Sequence, residues 1–365
     1  MTAVLDAPGA SGRFTKAPNG DLVVRTRGRR PVSGRLDGRA VVVTLVVFGI
    51  ALTVFAWSLT VGDYPVPLAD VVRTLLGQGS SDYEFIIRTL RLPRGLVALM
   101  VGAAFGLSGS IFQRIARNPL ASPDIIGINA GAAACAVLVI VILHGSSDEV
   151  TLGALGGAVV TAIAVYLLAY KRGVTGYRLV LVGIGATAML SAVTSYLMTR
   201  AQIYDAQRAM VWLTGSLNGR SWDHVRPLAI ALLVLVPFTL ALARHLRILD
   251  LGDDIARGLG TRVEWVRSGM LLAGVALAAM AVASAGPIGF VALVAPQIAR
   301  RLVGGSGAAL LPSAAVGALL LVASDLVARR IFAPTELPVG IVTAVLGAPY
   351  LLLLLARANR IGSAG

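Results

Sequence analysis

Ser108 is the residue best placed for nucleophilic chemistry. It lies in Gly-Leu-Ser-Gly (106–109), a Gly-x-Ser-Gly spacing used by intramembrane serine proteases, inside an apolar run. A serine attacks only when a base takes its proton. Of the three histidines, His144 and His224 fall in loops and His245 at the end of an apolar run, so no histidine reaches the depth of Ser108. Asp254 and Asp325 cannot make an aspartyl dyad, because one lies in a loop and the other near the end of a run. Neither H-E-x-x-H nor the phosphate-binding G-x-x-x-x-G-K-[ST] occurs. Cys135, the single cysteine, sits in an apolar run, allows no internal disulfide and reads as a packing residue. No catalytic set, metal set or cofactor site survives in this chain.

The elements that carry these residues are hydrophobic. The 365 residues are 56% apolar and 14% charged, with mean hydropathy +0.81; soluble domains carry roughly 25% charge. About 20 apolar residues cross a bilayer core as a helix, and these runs lack the alternation of barrel strands. The fold class expected is an all-α polytopic membrane protein. Ten spans are predicted, at about 41–60, 95–113, 125–143, 150–170, 179–199, 227–243, 266–285, 288–303, 308–328 and 338–356. The eighth is the least regular: Gly286-Pro287 interrupts the run, and the short IGFVALVAPQIA that follows contains Pro296. Ion-coupled transporters usually carry charge within the membrane, and Asp325 is the sole candidate here. Energy for uphill transport would then come from another polypeptide.

The net charge of +14 does not argue for nucleic acid. Basic residues gather in the first 39 positions, around RTRGRR (25–30), and at span ends, which is a topology signal. With both termini inside, Lys and Arg favour the inner side about two to one, a margin that narrows without the tail. Residues 1–39 are expected to form a disordered basic cytoplasmic tail, residues 40–357 the transmembrane domain and 358–365 a C-terminal tail. DYPVPLADVVRTLL (63–76) reads as an amphipathic surface helix, and AQRAMVWLTGSLNGRSW (206–222) as a second half-apolar outer stretch. Small-residue stretches such as VGAAFGLSG (101–109) suit close helix packing. NPLASP (118–123) and GPIGFVALVAP (286–296) are Pro-interrupted segments in the two halves, which point weakly to a transporter repeat.

LDLGDDIARGLG (249–260) joins two apolar runs. Asp253 or Asp254 can N-cap a helix that Gly258 or Gly260 ends in the left-handed conformation. A helix this short does not persist alone in water, so it is either an ordinary capped turn or a piece that leans on a partner.

RLPRGLVALMVGAAFGLSGSIFQ (91–113), RNPLASPDIIGINAGA (117–132), LGDDIARGLG (251–260), AGPIGFVALVAPQIARRL (285–302) and ELPVGIVTAVLGAPYLLLL (336–354) resemble the FecCD family, permease subunits of type II ABC importers for ferric siderophores, haem and cobalamin. The likeness runs from about residue 40 to 357. It is greatest toward ferric enterobactin members, through NPLASPD and WLTGSLNG (212–219), and more distant toward the vitamin B12 permease. The resemblance implies ten helices in a vitamin B12 permease-like fold, with two permease subunits, heterodimeric or homodimeric, forming one pathway. It implies a plasma-membrane location, two ATP-binding subunits that hold ATP and Mg, and an extracytoplasmic siderophore-binding protein. It assigns Asp253, Asp254, Ala256, Arg257, Gly258, Leu259 and Gly260 to the coupling helix that seats in the ATPase. It places Arg91, Arg94 and Arg329 at the docking face for carboxylates of the binding protein. Residues 179–199 would line the pathway, with Met189, Ser191, Thr194 and Ser195 as candidates, core packing being the other reading for each. Gln297 departs from the family by standing where many members have histidine.

The function implied is translocation of iron(III)–siderophore complexes, powered by a separate ATPase. The alternatives are the same machine carrying haem or cobalamin, an ion-coupled secondary transporter, and a receptor or scaffold without transport.

Overall fold

The computed structural model describes residues 14–16, 22–25, 33–170, 176–250, 252–304 and 309–362. Expectations for residues 1–13, 17–21, 26–32, 171–175 and 363–365 lie outside the described residues. Within residues 1–39 three short strands are described. Strands β1 (Phe14–Lys16), β2 (Leu22–Arg25) and β3 (Ser33–Leu36) pair as an antiparallel meander, with Phe14 opposite Val24 and Leu22 opposite Leu36. LVVR at the centre is apolar and β-branched enough to pair on both edges.

Fourteen α-helices follow among the described residues. They are α1 (Gly38–Thr60), α2 (Leu68–Leu75), α3 (Ser81–Glu84), α4 (Leu92–Ile115), α5 (Ile128–Val141), α6 (Ser147–Ala169) and α7 (Gly176–Arg200). Then come α8 (Ile203–Leu213), α9 (Trp222–Leu249), α10 (Asp253–Gly258), α11 (Val263–Ala285), α12 (Val291–Val303), α13 (Leu310–Arg330) and α14 (Val339–Gly362). A π-helical turn, Phe85–Arg91, leads into α4, and a 3-10 turn, Pro123–Ile126, precedes α5. Each of the ten predicted spans coincides with a helix. Seven helices are long and apolar enough to cross a membrane, and α5 and residues 339–353 are shorter apolar helices. The last helix runs to Gly362, past the expected boundary at 357.

Helix starts follow local chemistry. The Asp37 carboxylate accepts hydrogen bonds from the backbone N–H of Arg39 (3.0 Å) and Ala40 (3.2 Å) to cap α1. Ser146 and Glu149 close a capping box at α6. The eighth segment is broken as its Gly-Pro pair predicts. Gly286 (φ 77°) and Phe290 (φ 68°) are left-handed, and the regular part, α12, has 13 residues. At 1.5 Å per residue that is about 20 Å, short of the roughly 30 Å hydrocarbon core.

The core is built around α4, the most buried of the long helices, which packs on α9, α11, α12 and α13. Its small residues set the distance. A side chain at Gly102 would overlap the Gly317 carbonyl, one at Gly106 the Ser313 carbonyl and one at Gly109 the Ala292 carbonyl. Backbones therefore meet directly, the small-residue packing of membrane helices. Ser108 belongs to this packing. It is fully buried, and its hydroxyl donates to the Gly274 carbonyl of α11 at 2.6 Å. By contrast α1, α7 and α9 leave most of their apolar surface exposed.

Candidate functional site

At one end of the bundle, the α9–α11 connection presents α10. Gly252 (φ 109°) turns the chain out of α9 and is the N-cap; no side chain caps this helix. That corrects the expectation of an aspartate cap: the aspartates are the first two residues of the helix, inside the first turn, where their charge still complements the helix dipole. The other end closes as expected. Gly260 (φ 76°) is left-handed, its N–H donates to the Arg257 carbonyl (2.9 Å), and the Thr261 N–H reaches back to Ala256 (2.9 Å). This is a Schellman motif.

The two aspartates divide the work. Asp253 turns inward, and both its oxygens lie 2.9 Å from Nη2 of Arg267 on α11. Nη2 of Arg117, just past α4, donates to it at 3.2 Å and to the Leu249 carbonyl at 3.2 Å. Burial raises the Asp253 pKa, but the hydrogen bond from Arg267 and the charges of Arg267, Arg117 and Arg257 outweigh it and hold the carboxyl below its ordinary value. Ala256 is also buried. Asp254 is fully exposed, 3.7 Å from the exposed Arg257. Ile255 and Leu259 are exposed beside them. So α10 shows an outer face of Asp254, Ile255, Arg257 and Leu259, while Asp253 ties it to α4 and α11.

Behind α10 lies a polar network that motif reading did not find. Gln113 on α4 donates to the Leu293 carbonyl (2.9 Å) and accepts from Gln297 (3.2 Å) and Arg300 (2.5 Å). Gln297 also donates to the Pro119 carbonyl at 2.7 Å. Gln297 thus ties α12 to α4 and to the NPLASP turn. A glutamine in an apolar run was the only available signal. Gln297→Ala leaves the Pro119 carbonyl without this donor, and the expected cost is about 1–3 kcal/mol. It is read as a lower thermal midpoint of the detergent-solubilised protein.

At the opposite end, α4 and α13 share a buried ionic cluster. Arg94 donates from Nε (3.1 Å) and Nη2 (2.9 Å) to Asp325 Oδ1, and from Nη1 to Glu336 Oε2 (2.8 Å). Nε of Arg329 stands 3.1 Å from Asp325 Oδ2, an ion pair without hydrogen-bond alignment. The Asp325 side chain is only 3% exposed. Arg91 is separate: it donates to the carbonyls of Leu59 (2.7 Å) and Tyr64, and Asp63 attracts its charge without an ion pair among the described residues. Of the three arginines expected to face a partner, then, two are held by carboxylates of their own chain. Asp325, the one acid available for ion coupling, is matched by two guanidinium groups.

The pathway candidates separate by helix phase. Ser191 and Ser195, four residues apart on α7, are exposed on one face, and Met189 is exposed further round the helix. Thr194 is turned away, and its hydroxyl donates to the Leu190 carbonyl of its own helix (2.9 Å). Small hydroxylated residues on an exposed face distinguish α7 from α1, which exposes Val42, Leu45, Val46 and Trp57.

Residues 50–357 match the model of the FecCD transport family. The chain is 45% identical over 330 residues to the "Probable siderophore transport system permease protein YfhA" of Bacillus subtilis (strain 168), covering 88% of this chain and 96% of that one. It is 41% identical over 323 residues to the ferric enterobactin transport system permease protein FepG of Escherichia coli (strain K12), covering 88% and 98%. A solved structure described as a metal-chelate type ABC transporter in an inward-facing conformation superposes with TM-score 0.76 at 29% identity, covering 87% of this chain and 99% of that one.

Proposed function

This chain belongs to the FecCD transport family, and on that premise we propose that it is the permease subunit of an ATP-driven importer for iron(III)–siderophore complexes. The observation that carries the mechanism is the double anchorage of Asp253, to Arg267 and Arg117. A short helix fixed to α4 and α11 passes a push at its outer face to the bundle as rigid-body motion. Hydrolysis belongs to two partner ATPase subunits that bind ATP and Mg; their cleft would take Asp254, Ile255, Arg257 and Leu259. A sibling permease, or a second copy of this chain, would face α7, leaving Ser191, Ser195 and Met189 along a passage of low stickiness for a bulky chelate. The protein is a multi-pass membrane protein, and α10 and both termini are assigned to the cytoplasmic side.

An extracytoplasmic binding protein would dock at the opposite end, around Arg91, Arg94 and Arg329. Arg91 is the arginine of the three that forms no ion pair among the described residues, so it would act in steering. Arg94 and Arg329 shape the surface through Asp325. Arg91→Glu is expected to slow association several-fold at low salt and much less at high salt, and to lower the melting temperature, because the Leu59 and Tyr64 carbonyls lose their donor. Surface plasmon resonance at two ionic strengths measures this; an unchanged on-rate would remove Arg91 from docking.

Uptake assays on the full complex in proteoliposomes test the function. ATP-dependent accumulation of labelled ferric siderophore is expected, with little labelled haem or cobalamin. Cobalamin uptake without siderophore uptake overturns the substrate class. Accumulation on an ion gradient without the ATPase overturns the mechanism.

A further inference from the structure

At the end of the bundle that carries α10, a groove of about 360 Å³ opens sideways between α1 and α9. Val41 and Leu45 of α1 form one wall, Leu240 and Ala243 of α9 the other, and Leu311 and Pro312 of α13 the floor. α1 packs on α12 and α13, so the groove is closed behind and open to the side. Arg247 stands at its mouth, and Arg39 falls in the chain between the lining residues Asp37 and Ala40. Arg247, one turn before the end of α9, lines the groove and is exposed. Arg39, in the first turn of α1, donates from Nε to the Leu302 carbonyl at 3.0 Å. Among the described residues no carboxylate pairs with either one. Two acids are near: Asp37, which lines the groove, accepts from the first N–H groups of α1, and Asp250, three residues past Arg247, pairs with Arg114 at 2.6 Å.

We propose that this groove is a site for an anionic phospholipid. An acyl chain lies between α1 and α9, and the phosphate diester sits at the level of Arg247 and Arg39. An apolar slot facing the hydrocarbon, with unmatched cations where the chain ends emerge, is the complement of such a lipid. A zwitterionic lipid fits the slot equally well, but its ammonium group is repelled by the same arginines. Free phosphate satisfies the arginines and leaves the slot unused. The site has a mechanical consequence. Two residues after Arg247 α9 ends, and the chain turns at Gly252 into α10. A headgroup holding Arg247 therefore restrains the helix that leads directly into the coupling element. Which leaflet supplies the lipid rests on the orientation proposed above.

Native mass spectrometry and thermal unfolding of the detergent-solubilised full complex test this, with dioleoylphosphatidylglycerol, dioleoylphosphatidylcholine and inorganic phosphate as probes. Phosphatidylglycerol is expected to be retained and to raise the melting temperature, the other two not. Arg247→Gln should weaken phosphatidylglycerol binding about fivefold. Leu311→Trp, which fills the slot, should abolish retention while the lipid-free melting temperature stays put. Equal retention of phosphatidylcholine, or Arg247→Gln binding as the native chain does, overturns the proposal. So does a change of oligomeric state in Leu311→Trp, which marks the groove as a seat for another chain. Lipid retention is read without transport, so a failed uptake assay leaves this result standing and strikes only the importer reading.

Discussion

Replacing Asp253 with asparagine lets ATP turn over with little import. The isosteric amide keeps the backbone of α10 but discards the charge that Arg267 and Arg117 grip from two sides. Charge-assisted hydrogen bonds of this kind contribute about 1.5–3 kcal/mol, and the partial exposure of the Asp253 side chain places this clamp toward the low end. Siderophore imported per ATP hydrolysed should fall about tenfold, while hydrolysis persists. Asp254→Asn is the control: its carboxylate touches only Arg257 and faces outward, so it should weaken ATPase association and leave the ratio near its native value. Native coupling in Asp253→Asn would show that α10 transmits through backbone alone. The clamp also has a defined acid limit. With its pKa lowered in the folded chain, Asp253 contributes fully above the ordinary carboxylate value of about 3.9 and loses that contribution only as pH falls through the lower folded value. The import-to-hydrolysis ratio should therefore stay flat from pH 8 to 5.

Asp325→Ala is expected to damage stability more than any other single change considered. It removes the carboxylate between Arg94 and Arg329, whose side chains are 12% and 9% exposed; Arg329 is stranded, while Arg94 keeps only Glu336. Removing one partner of a buried pair costs about 3–5 kcal/mol, a fall of about 5 °C or more in melting temperature. Adding Arg329→Met should restore part of the loss, because it removes the stranded charge. Native melting in Asp325→Ala would mean that water reaches and screens the cluster.

The ten helices were legible because an apolar run long enough to span a bilayer declares itself whatever its neighbours do. The break at 286–290 was legible for a local reason too: Gly286 takes a left-handed φ and Pro287 has no N–H to continue a helix. The C-terminal lock of α10 needed only its glycine. What stayed hidden were pairings between distant parts of the chain. Arg94 meets Asp325 231 residues away, and Arg117 meets Asp253 136 residues away. An N-cap assignment for Asp253 looks only at the next three residues, so it missed an arginine fourteen further on. Arg94 and Arg329 were picked out by motif, but not the carboxylates of their own chain that hold them. On α7 the hydroxylated residues were visible in the sequence, while helix phase decided that Ser191 and Ser195 share an exposed face and Thr194 does not.

Gly102, Gly106 and Gly109 leave only backbone between α4 and its neighbours α12 and α13. Side chains accommodate a displaced neighbour by changing rotamer; bare peptide planes have no such play. These three helices must therefore travel as one block, and the hinge of any inward opening falls elsewhere. α7 has the freedom to swing, since it touches the rest of the molecule along one side alone, mainly through α5, α6 and the turn at Pro123–Ile126. The stroke started at α10 would then turn a stiff keel, and the passage would widen where that keel pulls away from α7.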